Sequence, residues 1–166
     1  MIRKVTMADT RELHAFIQNA SKSGEILPRT LNDIYRFLRD YWVFRKTKKS
    51  PIVAASSFHV CWENLGEIRN LFVEPELRGA GIGEKMVALA LDEAKSLGVK
   101  NVFALTYRVE FFERLGFREV DKQTLPSKVW VDCLNCVKFP DCDETAVMFE
   151  RGVDRFRKIK TRKKKK

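Results

Sequence analysis

The chain has 166 residues, of which 45% are hydrophobic and 33% charged. This ordinary globular composition excludes disorder of the whole chain. Its longest apolar run, Met86 to Leu91, falls far short of the roughly 20 residues of a membrane span. The opening MIRKVTMADT lacks the apolar stretch of a signal peptide, so a cytoplasmic protein without membrane contact is expected. The net charge of +10 is uneven: residues 151–166 hold ten Lys/Arg and one Asp, or +9, leaving +1 for residues 1–150. The expected organisation is one domain, 1–150, with a basic tail, 151–166.

Residues 2–6 (IRKVT) read as a short strand. Asp9 or Thr10 then caps a helix whose apolar positions Leu13, Phe16, Ile17 and Ala20 share one face. SKSGEILPR is a loop broken by Gly24 and Pro28. Thr30 opens a second helix, with Asp33 three residues on as in a capping box and Leu31, Ile34, Tyr35 and Leu38 as its apolar face. YWVFRKT (41–47) and PIVAASSFHVCW (51–62) flank a KKS turn and read as a hairpin, and LGEIRNLFV (65–73) is a third strand. A long helix follows from about Gly81 to Leu97, with the stripe Ile82, Met86, Leu89, Ala90 and Leu97, stopped by Gly98. KNVFALT (100–106) is a strand, VEFFERLG a short helix and FREV a strand. Residues 121–143 read as loop, and ETAVMFE (144–150) as the final strand. Helices interrupting strands in this way predict an α/β or α+β domain around one sheet.

The most informative segment is the passage from Leu71-Phe72-Val73 through EPELRGAGIG into the long helix. Gly79, Gly81 and Gly83 let the backbone approach a ligand closely. The free N–H groups and positive end of the helix's first turn suit a pyrophosphate, and Arg78 adds a positive charge. The spacing is neither a Walker A motif nor a dinucleotide-binding GxGxxG. The alternative is a turn needed only for tight strand–helix packing.

Strand-Val-x-Pro-x-x-Arg-Gly-x-Gly-Ile-Gly-helix, followed some thirty residues later by Phe-Phe-Glu-Arg-Leu-Gly-Phe, resembles the GNAT superfamily of acetyl-CoA-dependent N-acetyltransferases. The resemblance spans about residues 2–150 in element order and is strongest from Glu67 to Phe117. Three segments, GEIRNLFVEPELRGAGIG, VFALTYRVEFFERLGF and LPSKVWVDCLNCVKFPDCDE, are more narrowly similar to the acetyltransferase domain of bacterial N-acetylglutamate synthases, including the short type without the amino-acid-kinase-like domain. That missing domain carries the arginine site of the long enzymes, which puts arginine feedback in doubt here. The resemblance implies a mixed, mostly antiparallel central sheet flanked by helices. It implies acetyl-CoA as co-substrate, held by the turn residues Arg78, Gly79, Ala80, Gly81, Ile82 and Gly83. The backbone of Leu71, Phe72 and Val73, splayed from the neighbouring strand by a bulge, would receive the pantetheine arm and acetyl group. Phe112 stands against the cofactor where many members place a tyrosine.

Acetyl transfer requires the amine to lose a proton, the carbonyl oxygen to be stabilised and the thiolate to leave. Glu67, on the strand before the turn, matches the glutamate the synthases use as general base, acting directly or through a water. The competing reading is a solvent-facing glutamate paired with Arg69. Tyr107, at the end of the ALTY strand, is the candidate donor to the sulfur, against a ring that only packs; the thiolate also has the option of leaving without an acid. An acceptor such as glutamate carries two carboxylates, which calls for cations. Arg29 matches the synthase arginine near that carboxylate and has the fork to bind it bidentately, with Lys128 and Arg69 as further candidates. His14 and His59 have no neighbours in sequence that argue for chemistry.

Cys133, Cys136 and Cys142 fall within ten residues of one another. A zinc site needs four ligands, and Asp132, Asp141, Asp143 or the distant His59 would have to complete this one. The alternatives are three reduced thiols, or a segment that shapes the acceptor pocket. The lysine-rich tail offers charge to nucleic acid, anionic lipid or an acidic partner, but no aromatic interleaving for base stacking; a solvated appendix is expected. The expected reaction is transfer of acetyl from acetyl-CoA to L-glutamate in a ternary complex. The alternatives are another amine (a lysine side chain, a protein N-terminus, a polyamine) or a weakly catalytic acetyl-CoA-binding module. A homodimer is left open.

Overall fold

The computed structural model describes residues 1–152, apart from the side chains of Lys128 and Asp132. Its strands are β1 (Ile2–Lys4), β2 (Tyr41–Arg45), β3 (Ile52–Trp62), β4 (Leu65–Val73), β5 (Asn101–Thr106), β6 (Arg118–Val120) and β7 (Thr145–Glu150). They form one sheet in the order β1-β2-β3-β4-β5-β7-β6, antiparallel except where β4 meets β5. Five helices connect them: α1 (Thr10–Ser21), α2 (Leu31–Arg36), α3 (Ile82–Ser96), α4 (Val109–Arg114) and α5 (Ser127–Leu134).

The predicted stripes bury the two sheet faces. On one, Leu13, Phe16 and Ile17 of α1 and Ile34 of α2 pack on Tyr41, Val43 and Phe72. On the other, Val87, Ala90 and Ala94 of α3 and Phe112 of α4 pack on Trp42, Ile68, Val102 and Val147. Thr30 accepts a hydrogen bond from the Asp33 amide (3.1 Å) and so caps α2. That helix ends at Arg36 and a 3-10 turn carries Leu38, while Tyr35, expected on the apolar face, is exposed. Leu97, expected on the α3 stripe, is exposed as well. Asp9 does not cap α1. Its buried carboxylate turns back to the Thr6 amide (2.9 Å), Arg3 (2.7 Å) and Arg45 (3.1 Å), tying β1, α1 and β2 together.

The largest departure from expectation lies in residues 121–143, read as loop. They contain a 3-10 turn over Lys122–Thr124 and the helix α5. The β-branched Val129 and Val131 argue against a helix locally. Burial of Leu125 and Val129 against Leu65, Phe103 and Ala146 overrides that preference. Of the expected tail, Arg151 is tied to the body through its amide on the Lys100 carbonyl (2.9 Å) and its guanidinium on the Leu91 carbonyl (2.9 Å). The rest of the tail, 153–166, lies outside the described residues. Among the described residues no helix is long and apolar enough to cross a membrane.

Candidate active site

The site begins at an irregularity in β4. Ser57 pairs with Arg69 and Ala55 with Phe72, so two residues of β4, Asn70 and Leu71, stand against the single Ser56 of β3. This bulge inverts the side-chain alternation. Before it the odd-numbered Leu65 faces the α5 side; after it the even-numbered Phe72 faces α1. Asn70 takes a left-handed backbone (φ 52°), which asparagine tolerates better than any β-branched residue. β4 and β5 pair only from Leu65–Glu67 to Asn101–Phe103, and beyond Glu67 they part. The gap is a cleft of about 540 Å³. It reaches from Gly79 and Gly83 at the start of α3, past Leu71, Phe72 and Val73, to Glu67, Tyr107 and Glu144.

At the α3 end, Gly79 and Gly81 both have positive φ (82° and 76°), and a Cβ on either would meet no atom within 4 Å. Gly83 differs: its Cβ would lie 3.2 Å from the Phe111 ring, so it is the glycine that serves helix packing. Arg78 donates to the Val73 carbonyl (3.0 Å) and pairs with Glu25 (3.0 Å), while its guanidinium lies over the Phe72 ring. Glu25, from the α1–α2 loop, also pairs with Arg108 (2.8 Å), so one carboxylate links both lips of the cleft. Burial pushes the Glu25 carboxyl up, but Arg108 and Arg78 outweigh it and hold the carboxyl below its ordinary value. Phe112 is buried among Phe111 and Phe117 and contributes ring surface to the cleft wall.

At the opposite end, Glu67 is 8% exposed and faces the cleft, so it is not the solvent-facing glutamate of the competing reading. It is nevertheless paired with Arg69, whose Nε donates to Glu67 Oε2. The Cys61 thiol lies 3.9 Å from the same oxygen. Arg69 is therefore engaged by its own strand. Arg29 also lines the cleft, its Nε donating to Asn70 Oδ1 (3.0 Å), and the Asn70 amide donates to the Leu27 carbonyl (3.1 Å). Asn70 thus fixes both the bulge and the loop that carries Arg29. Lys128, the remaining candidate cation, has its side chain outside the described residues.

Tyr107 is 43% exposed at the cleft wall. Its hydroxyl donates to Asp143 Oδ1 (2.5 Å) and accepts from Lys138 Nζ (2.6 Å). The Asp143 bond raises the tyrosine's pKa above its ordinary value. Sequence reasoning missed Glu144, which is 8% exposed and lines the same cleft as Glu67. Its Oε1 is 3.5 Å from Lys138 Nζ and its Oε2 is 3.8 Å from the Cys142 thiol. Burial pushes the Glu144 carboxyl above its ordinary range; Lys138 opposes this and the nearby Glu67 adds to it. Nothing in the local pattern of CDETAV marks this glutamate as buried. His59 pairs with Asp40 (2.7 Å) and packs edge-on against Phe37. The zinc expectation is not supported: among the described residues no group of three or more His, Cys, Asp or Glu side chains is placed to hold a metal. Nor are any two of the cysteines disulfide-linked.

A splayed parallel strand pair that opens onto a glycine turn and a helix N-terminus is the arrangement the sequence resemblance implied. The family model for the acetyltransferase (GNAT) family matches residues 9–117. The chain belongs to that family. Its reaction class is therefore N-acetyl transfer from acetyl-CoA. An uncharacterized N-acetyltransferase of Chlorobaculum tepidum is 33% identical over 89% of this chain and 94% of its own length. The amino-acid acetyltransferase of Mycobacterium tuberculosis is 30% identical over 78% of this chain and 75% of its own. Among solved structures, the N-acetylglutamate synthase of Neisseria gonorrhoeae, complexed with coenzyme A and N-acetyl-glutamate, superposes with a TM-score of 0.79 at 21% identity. That match covers 90% of this chain and 34% of the other, and at such identity it shows the shared fold.

Proposed function

We propose that this GNAT enzyme acetylates the α-amine of L-glutamate, forming N-acetylglutamate, the entry reaction of arginine biosynthesis. The observation that carries the reading is the cleft itself. A glycine turn at one end and a buried carboxylate at the other are joined by the edge of β4 that β5 leaves unpaired, with the Arg29 guanidinium beside the path. The 30% identity to a protein named amino-acid acetyltransferase adds support for an amino-acid acceptor.

In this reading the amides at Arg78–Gly83 and the positive end of α3 hold the CoA pyrophosphate. The backbone of Leu71–Val73 aligns the pantetheine arm and acetyl carbonyl, with Phe112 behind. Arg29 binds an acceptor carboxylate. Glu67, oriented by Arg69, acts as general base on the acceptor nitrogen, directly or through a water. The amine then attacks the thioester carbonyl, the C–S bond breaks, and the thiolate takes up a proton, for which the Tyr107 hydroxyl on the cleft wall is the candidate donor. Holding both substrates in one cleft supplies much of the acceleration. The transferase unit is residues 1–150, and the basic tail is accessory to it.

A second reading rests on a specific observation. Glu67 and Glu144 together give the acceptor end two carboxylates, which also suits a cationic acceptor such as a polyamine or a lysine side chain. The discriminating measurement is thiol release from acetyl-CoA against the common amino acids, spermidine and a lysine peptide. Selective turnover with glutamate, with a raised KM for glutamate in Arg29→Ala, is the expected result. Turnover with spermidine or the peptide instead refutes the glutamate assignment.

A further inference from the structure

We propose that Glu144, Lys138 and Tyr107 form the route by which the amine's proton leaves the acceptor pocket, with Glu144 as a second acid–base group beside Glu67. The inference rests on the reading of this cleft as the amine acetylation site. Each turnover converts an ammonium and a thioester into an amide, a thiol and one proton that must reach solvent. Glu67 is badly placed to release it: the residue is buried, and its Oε2 is held by Arg69 and bordered by Cys61.

Glu144 offers the way out. It faces the same cavity, close enough to Glu67 for the two carboxylates to repel. The groups around it are Glu67 with its partner Arg69 from β4, Tyr107 from the end of β5, and Lys138 and Cys142 from the segment after α5. Lys138 Nζ stands 3.5 Å from Glu144 Oε1 and donates to the Tyr107 hydroxyl (2.6 Å), which donates to Asp143 Oδ1 (2.5 Å) on the exposed surface. Lys138 thus stands between the Glu144 carboxylate on its inner side and the Tyr107 hydroxyl on its outer side, and the tyrosine hands on to exposed Asp143. Glu144 takes the ammonium's proton, while the second N–H proton, released to Glu67 on attack, balances the one the thiolate takes up. The proton on Glu144 then shifts outward in one concerted movement, Glu144 giving one to Lys138 as Lys138 gives one to Tyr107 and Tyr107 gives one to Asp143. Glu144 ends as a carboxylate and Asp143 as a carboxylic acid that gives the proton to water. The pKa of Glu144, raised by burial, favours it as the inner acceptor.

The test uses the full chain with acetyl-CoA and whichever amine the panel identifies, comparing wild type with Glu144→Gln, Glu144→Ala and Tyr107→Phe across pH. Glu144→Gln is expected to lower kcat at neutral pH by about 100-fold, the lower end of what a positioned acid–base group contributes. The KM for acetyl-CoA stays within about twofold, and the deficit shrinks as pH rises toward the amine's own pKa. Added formate restores part of kcat in Glu144→Ala. Tyr107→Phe shows a smaller loss, relieved by raising the buffer concentration. The route is overturned by a Glu144→Gln enzyme whose kcat matches wild type at every pH. A loss that is equal at every pH and unrelieved by formate also overturns it, because that marks a structural role. A Tyr107→Phe loss insensitive to buffer overturns it too, because the tyrosine then serves the thiolate alone. Turnover of an amine other than glutamate refutes the glutamate reading while leaving this comparison intact. Glutamate turnover with an unaffected Glu144→Gln refutes the route and leaves the reading standing.

Discussion

Two glycines at opposite ends of α3 allow backbone strain to be separated from ligand binding. Gly81 precedes the helix with φ 76° and Gly98 follows it with φ 74°, and a Cβ on either meets no atom within 4 Å. Alanine at either site therefore pays the left-handed penalty of about 1–2 kcal/mol without a clash. For a chain of this size that lowers Tm by roughly 2–8 °C. Gly81→Ala and Gly98→Ala should be destabilised alike. If the turn holds the pyrophosphate as proposed, they should differ in acetyl-CoA affinity, because only Gly81 sets the direction of the amides before α3. Losing one hydrogen bond to a charged phosphate oxygen is worth about 1.5–3 kcal/mol, or roughly 10- to 100-fold in Kd. Thermal melts and isothermal titration with acetyl-CoA measure both quantities on the same samples. Equal Kd values for the two variants, with equal Tm losses, would refute the placement of the pyrophosphate at this turn.

Two stability predictions follow from the packing. Gly66→Ala should cost about 1–3 kcal/mol. A Cβ there lies 2.3 Å from the Phe58 ring, which is 2% exposed and has nowhere to go; an unchanged urea midpoint would contradict this. The Asp9 carboxyl is held far below the usual carboxylate range, chiefly by Arg3, with Thr6 and Arg45 assisting. A depressed folded-state pKa means that its stabilisation is complete above the unfolded value near pH 4 and is lost as pH falls through the folded one. The wild-type melting temperature should therefore drop as pH falls below about 4. Asp9→Asn should melt lower at neutral pH, since it removes the buried carboxylate that Arg3 and Arg45 both hold, leaving Arg45 only its pair with Glu12 (2.6 Å), and should lose less on acidification. Parallel pH profiles for the two proteins would contradict the assignment.

Much of this protein was legible without coordinates because its strongest signals are local. The 3.6-residue stripes of α1 and α3, the Thr30 cap and the glycines around Arg78 each act within a few residues, and short-range sterics and hydrogen bonding decide them. The resemblance carried by RGAGIG and FFERLGF likewise pointed to the cleft and to Glu67 and Arg29 beside it. The helix α5 was not legible, since Val129 and Val131 argue against helix until Leu125 and Val129 find Leu65 and Phe103 across the sheet. Nor was the role of Asn70, which reads as one polar residue in a strand. Its left-handed backbone matters only because β3 offers one residue against two.

Arg69 and Glu144 make the same point about chemistry. In sequence Arg69 reads either as the partner of Glu67 or as a cation for the acceptor, and Glu144 as one more acid at the start of a strand. The fold places the guanidinium of one on Glu67 and buries the carboxyl of the other in the cleft wall with Lys138. Local sequence determined the amphipathic helices, the Thr30 cap and the glycine turn before α3. Only the tertiary structure decided which charges are paired and which face the substrate, because ion pairing and desolvation depend on distances between residues far apart in the chain.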